Sequence, residues 1–189
     1  MAAEQVSLDQ KKAQRCGGVV LFGDEVSFWL DGTLHQTWAR LGHQPRVDTY
    51  GQRKTAHVFG AISMDGARFF YQFASVFDAQ SFLRFLKHLV AQQQGRKVFL
   101  IVDNGPCHNL DEEGKTWLKE HADRIALYRL PPYSPEFNPI EGVWKMTRRM
   151  TTHNRFFATT QERDAALRAT FRKFQLRPAL IAPQVARFR

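Results

Sequence analysis

The chain has 189 residues, enough for one domain with a substantial core, and 43% of them are hydrophobic, with 16 Phe. It contains no run of about 18 apolar residues and no apolar core near Met1 of the kind a signal peptide has, so neither a transmembrane helix nor a secretory leader is expected. The net charge of +9 is lopsided: Gly142 to Arg189 hold eleven Lys/Arg against two Asp/Glu, while residues 1–141 hold sixteen of each, an asymmetry that points to a polyanionic partner such as nucleic acid.

Residues 1–17 are polar and read as a helix or linker. Val19 to Leu30 is a β-prone run ending at Asp31-Gly32, a hairpin signal, so His35 to Ala39 is expected to return beside it. Leu41 to Lys54 reads as a loop. Thr55 to Met64 and Arg68 to Val76 read as two more strands joined at Asp65-Gly66, which makes the opening an antiparallel meander. The period then changes. Asp78 is placed to cap a helix carrying Phe82, Leu83, Phe85, Leu86, Leu89 and Val90, and Gly95 ends it. Lys97 to Asp103 reads as a strand buried on both faces, Asp111 to His121 as a short helix, and Ile125 to Leu130 as the next strand. A proline-rich loop, Leu130 to Pro139, leads into a helix, and a last helix spans about residues 160–174. Apolar strands joined by helices imply parallel pairing with right-handed crossovers. The expected fold is therefore α/β: a mixed sheet, antiparallel then parallel, flanked by helices. Ligands of such sheets collect at the C-terminal ends of the parallel strands.

Three carboxylates stand out. Asp24 shares a strand face with Phe22 and Val26, an unusual place for a charge that has no partner. Glu25 points to the opposite face, so only one of the two is expected to line a given site. Asp103 ends its strand at Asn104-Gly105-Pro106, where an Asp also commonly caps a turn. Glu141 lies in the first turn of the helix that follows Asn138 and Pro139; Asn138-x-x-Glu141 is also the spacing of a capping box. Carboxylates without Cys or His companions suit Mg²⁺ or Mn²⁺. Two such ions about 3.5–4 Å apart serve phosphodiester chemistry without a protein nucleophile. No histidine pair has zinc-ligand spacing, so no zinc is expected. Cys16 and Cys107 read as free thiols in a reducing cytoplasm.

Phe22-Gly-Asp24-Glu-Val-Ser-Phe28, Val102-Asp103-Asn-Gly-Pro-Cys-His108 and Leu130-Pro-Pro-Tyr-Ser-Pro-Glu-Phe-Asn-Pro-Ile-Glu141-Gly-Val-Trp144 together resemble the three catalytic motifs of DDE transposases. More narrowly, they resemble the bacterial insertion-sequence branch of the Tc/mariner superfamily (the IS-six-thirty family). The spacing of 37 residues between Asp103 and Glu141 fits that branch. The resemblance implies a ribonuclease-H-like catalytic domain over residues 18–175, followed by a basic tail at 176–189. It implies Asp24, Asp103 and Glu141 as catalytic metal ligands for two Mg²⁺ or Mn²⁺ ions. It also implies cleavage at transposon ends, strand transfer into target DNA, a homodimer in the active complex and a bacterial, nucleoid-associated location. Family members usually carry an N-terminal helix-turn-helix region, for which residues 1–17 are too short, so specific end recognition is not expected of these residues. A non-catalytic DNA-binding or assembly module of the same fold is the alternative; a ribonuclease H or resolvase-type nuclease is disfavoured by the Pro-Pro-Tyr-Ser-Pro loop.

Around the three carboxylates, Asn104, His108 and Asn138 are candidates to orient them, although each also suits an ordinary loop or capping role. Glu141, Lys145 and Arg148 fall on one helix face and Ile140, Val143, Trp144 and Thr147 on the other, with Trp144 expected in the core. Lys145, Arg148, Arg149, Arg155, Arg172 and Lys173 are the candidates for contacts to the backbone of double-stranded DNA.

Overall fold

The computed structural model describes residues 17–49, 51, 54–132, 135–186 and 188. The reading of residues 1–16 as a helix or linker lies outside them. Five strands form one sheet: β1 (Val19–Trp29), β2 (Thr55–Ser63), β3 (Phe69–Ala74), β4 (Val98–Val102) and β5 (Ile125–Arg129), in the order β3-β2-β1-β4-β5. β1 pairs antiparallel with β2, and β2 with β3; β1 pairs parallel with β4, and β4 with β5. This is the mixed sheet expected from the order of apolar runs.

The alternation in β1 assigns its two faces. Val19 and Leu21 look toward α1 (Ala79–Gln92), whose buried stripe of Phe82, Leu83, Phe85, Leu86, Leu89 and Val90 covers that side. Asp78 caps α1 as expected: its carboxylate accepts from the Ser81 backbone N–H, and the Ser81 hydroxyl answers the Asp78 backbone. α2 (Glu112–Glu120) lies on the same side through Trp117 and Leu118. On the other face, Phe22, Val26 and Phe28 meet α3 (Ile140–Thr147) and α4 (Thr160–Leu176). Phe28, Phe69, Trp144 and Phe171 pack there with ring centroids 5.5–6.4 Å apart. β4 is buried along all five residues, as a central parallel strand should be.

Two features depart from the sequence reading. His35 to Ala39 is not a strand: the residues are exposed and irregular, and the antiparallel partner of β1 is β2, with Trp29 opposite Thr55. β2 offers nine pairing residues with a buried face, against a short polar segment. The chain after β1 is also captured elsewhere. The Gly32 backbone runs so close to the carbonyls of Thr152 and Arg155 that a Cβ would sit 2.2 and 2.5 Å from them. The Asn154 N–H and side chain then tie down Thr33 and His35. The second departure is at the C-terminus. Within residues 176–189, Pro178–Leu180 forms a short 3₁₀ turn and α5 (Ala182–Ala186) follows, with Ile181 and Val185 fully buried against the same core as α3.

Candidate active site

The site lies where β1 and β4 part. Their pairing ends at Phe22 opposite Ile101, but β1 continues for seven residues to Trp29. From Gly23 onward that edge of β1 is free of β4, and Asp103 follows immediately after β4. With no strand between them, side chains from both faces of β1 can reach round the edge. One carboxylate oxygen each from Asp24, Glu25 and Asp103 lie within 4.8 Å of one another. The two side chains leave opposite faces as expected, Asp24 toward Trp144 and Glu25 toward His108, yet at this unpaired edge their oxygens approach each other and Asp103.

Asp24 is 8% exposed. The Trp144 indole Nε1–H donates to its Oδ2 at 3.1 Å, the single side-chain hydrogen bond to this carboxylate among the described residues. Trp144 is in the core, as expected, and its hydrogen bond is what the sequence reading missed. Room for the indole comes from Gly60, the register partner of Asp24 on β2, where a Cβ would lie 2.3 Å from Trp144 Cη2. Burial, followed by the charges of Glu25, Glu141 and Asp103, pushes the Asp24 carboxyl up to about 8.

Asp103 is held at one oxygen. Its Oδ1 accepts from Gly105 N–H at 2.8 Å and contacts His108 Nδ1 at 2.7 Å. His108 is completely buried on the 3₁₀ turn Pro106–His108. Its other nitrogen, Nε2, lies 3.0 Å from Glu25 Oε2, close enough for an ion pair but not aligned as a hydrogen bond. Burial alone would lower the His108 pKa, but Asp103, Cys107 and Glu25 outweigh it and raise it to about 11, so the ring is an imidazolium between two carboxylates. In return His108 holds Asp103 below the usual carboxylate range. For Glu25, burial pushes upward, but His108 brings the net shift below its ordinary value. Cys107 Sγ also approaches Glu25 and His108 within 4.8 Å. Burial pushes that thiol up, and both His108 nitrogens face carboxylates, so the trio does not present a thiolate–imidazole ligand set.

The loop after β4 is pinned from β5. Arg129 donates to the Asp103 carbonyl at 2.7 Å and to the His108 carbonyl at 2.6 Å, and Asn104 Nδ2 donates to the Leu130 carbonyl at 2.8 Å. Arg129 was not foreseen; a cation on the last residue of a strand carried no distinguishing signal.

Glu141 arrives on α3. Asn138 docks the start of that helix beside Asp24: its Nδ2 donates to the Gly23 carbonyl at 3.2 Å, while its Oδ1 accepts from Ile140 N–H at 3.4 Å. The capping-box alternative is not realised. Among the described residues no hydrogen bond or ion pair engages the Glu141 carboxylate, Lys145 included, and its charge acts on Asp24. Glu141 lies outside the group of three oxygens within 4.8 Å, so the structure brings Asp24, Glu25 and Asp103 together and leaves Glu141 facing them from the helix. The donor set of Asp24, Glu25 and Asp103 is all oxygen, and burial together with the neighbouring carboxylates raises Asp24; such a cluster fits a hard divalent cation held by Asp24 and Asp103, with Glu141 nearby on α3.

Lys145, Arg149, Arg155, Arg172 and Lys173 are exposed, and Arg148 is half-buried with its guanidinium 5.7 Å from the Phe28 ring centre. Lys145 follows Glu141 by one helical turn, and α3 continues through a π-helical turn, Arg148–Thr152, which carries Arg148 and Arg149. Arg172 and Lys173 leave the solvent side of α4, whose other side packs Leu167, Phe171 and Phe174 on the sheet.

Comparison with known proteins agrees with this fold. No curated protein sequence matches the chain. Among solved structures, a Mos1 strand transfer complex aligns with a TM-score of 0.60 at 16% identity, over 99% of this chain and 59% of that one. A mariner Mos1 paired-end complex with Mg aligns with a TM-score of 0.56 at 15% identity, over 97% and 60%. The HTLV-2 integrase catalytic core in complex with magnesium aligns with a TM-score of 0.52 at 9% identity, over 82% and 83%. The chain thus spans about three-fifths of the Mos1 chains it matches. At these identities the likeness concerns the fold, which is the ribonuclease-H-like fold of integrases and transposases. The model of the DDE superfamily endonucleases matches residues 19–163, from the first residue of β1 into α4, and the chain therefore belongs to the DDE superfamily of endonucleases.

Proposed function

We propose that this chain is the catalytic domain of a DNA transposase that cuts phosphodiester bonds at transposon ends and joins the freed 3′-hydroxyl to target DNA. The observation that carries this reading is the convergence of Asp24 and Asp103 at the open edge of β1, with Glu141 brought by the first turn of α3 near enough for its charge to act on Asp24. Bound Mg²⁺ or Mn²⁺, two ions in all, would supply an activated water or 3′-hydroxyl and neutralise the leaving oxygen. Asp24, Asp103 and Glu141 would hold them. The chain's own contribution is placement: Trp144 fixes Asp24, His108 and Gly105 fix one oxygen of Asp103, and Asn138 seats the helix that carries Glu141. Lys145, Arg148, Arg149 and Arg155 follow Glu141 and would track the phosphates of double-stranded DNA, with Arg172 and Lys173 extending the basic surface; the active complex would be a homodimer. The Mos1 relatives, one captured in a strand transfer complex and one as a paired-end complex with Mg, support the transposase reading.

The test is a Mg²⁺- or Mn²⁺-dependent nicking assay on DNA carrying the element's ends, run beside Asp103→Ala. Nicking by the wild type that falls by about 10³-fold or more in the variant is expected. Equal activity in both proteins would remove the assigned site.

A further inference from the structure

The ligand set assigned above is Asp24, Asp103 and Glu141, but a fourth carboxylate, within the first motif, lies at the same place. Glu25 comes from the opposite face of β1, yet one of its oxygens lies within 4.8 Å of both Asp24 and Asp103. Its Oε2 is shielded from solvent and forms an ion pair with the buried His108 Nε2 at 3.0 Å, off the alignment of a good hydrogen bond. His108 itself cannot drift. It is fully buried, its Nδ1 contacts Asp103 at 2.7 Å and its carbonyl is held by Arg129. Gly105 passes over all three groups: a Cβ there would lie 3.0 Å from Asp103 Oδ1, 3.3 Å from Glu25 Oε1 and 3.4 Å from His108 Nδ1.

From this geometry we infer that Glu25 is a fourth metal-facing carboxylate, sharing the ion held by Asp24 and Asp103, and that His108 is the positioning residue for both Glu25 and Asp103. The inference rests on the metal-site reading above and deepens it. Oxygens on one Mg²⁺-sized ion at about 2.1 Å stand roughly 3–4 Å apart, so three oxygens already within 4.8 Å need little movement to share an ion. In sharing the ion Glu25 would exchange part of its ion pair with His108, whose alignment is poor, for contact with a divalent cation. The competing role for Glu25 is that of a counter-ion to a buried imidazolium, important for folding and indifferent to metal.

Calorimetric titration with Mn²⁺ alone, paired with melting of the metal-free protein, separates the two roles. Glu25→Gln is expected to weaken Mn²⁺ binding by about 10- to 100-fold with the metal-free melting temperature unchanged or raised. Glu25→Asp keeps the charge beside His108 and withdraws the oxygens by one carbon–carbon bond. It is expected to fold as the wild type does and to bind Mn²⁺ more weakly. His108→Gln, which loosens both carboxylates, is expected to weaken binding as well. Wild-type Mn²⁺ affinity in folded Glu25→Gln or in Glu25→Asp overturns the inference, whatever happens to melting. Asp103→Asn distinguishes the two levels: if it abolishes Mn²⁺ uptake while the Glu25 variants do not, this inference alone fails. If Asp103→Asn also binds as the wild type, the metal site itself is misassigned.

Discussion

The two ends of the Trp144 side chain lie in regions built on opposite terms. Its rings sit among Phe28, Phe69 and Phe171, where apolar groups meet apolar groups and nothing is left unmatched. Its N–H touches Asp24, which shares a small volume with Glu25 and Asp103 and feels the charge of Glu141. The first region is what a stable fold requires. The second is electrostatically costly in the metal-free protein, although His108 and Arg129 bring positive charge to it. A group of acids held this close is expected to favour a cation over stability, and the rigid aromatic layer below tolerates the cost.

The comparison can be broken most severely at its joint. Trp144→Ala removes a fully buried indole and the sole side-chain donor to Asp24 among the described residues, and a loss of about 3–5 kcal/mol in denaturant unfolding is expected. Trp144→Phe keeps most of the packing and isolates the hydrogen bond, so a smaller loss is expected. Gly60→Ala attacks the same contact from β2: with a Cβ 2.3 Å from Trp144 Cη2, the indole must move, and a cost of about 1–3 kcal/mol is expected, along with a displaced indole signal in NMR spectra.

The gentlest test uses pH. Asp24 is raised from 3.8 to about 8, so the folded chain binds its proton more tightly than the unfolded chain. That contribution is fully present below the unfolded value and is lost as pH rises through about 8. His108, raised from 6.5 to about 11, acts in the same direction: its contribution is full below 6.5 and lost as pH climbs toward 11. The metal-free protein should therefore melt at progressively lower temperature from about pH 6 to 9, and Asp24→Asn should flatten that slope. A melting temperature that rises over this range would contradict the raised proton affinities of Asp24 and His108.

Periodicity reveals how much of this molecule is legible from its residues. The alternation of β1, the continuous apolar run of β4 and the stripe of α1 follow from short-range pattern, and all three elements form where pattern places them. Asp24 was conspicuous because it interrupts an apolar face. What escaped depends on distance along the chain. Nothing near Gly60 announces that an indole 84 positions later needs its missing side chain. Nothing near Gly32 announces that the carbonyls of Thr152 and Arg155 will occupy the space where a hairpin would turn. Glu25 was set aside because it leaves the opposite face from Asp24, but the β1–β4 pairing stops at Phe22 and past that point no strand separates their oxygens from Asp103. Arg163 escaped likewise: it is 2% exposed and holds the carbonyls of Phe28 and Lys54 at the exit of β1 and the entry of β2, a role invisible in a polar helix sequence.

The central claim is that the acids at the open edge of β1 hold divalent metal. Anomalous diffraction from crystals soaked in Mn²⁺ tests it most directly. The account predicts a peak between the carboxylates of Asp24 and Asp103 that is absent in Asp103→Asn. A peak unchanged in that variant, or Mn²⁺ bound elsewhere with these carboxylates bare, would contradict it.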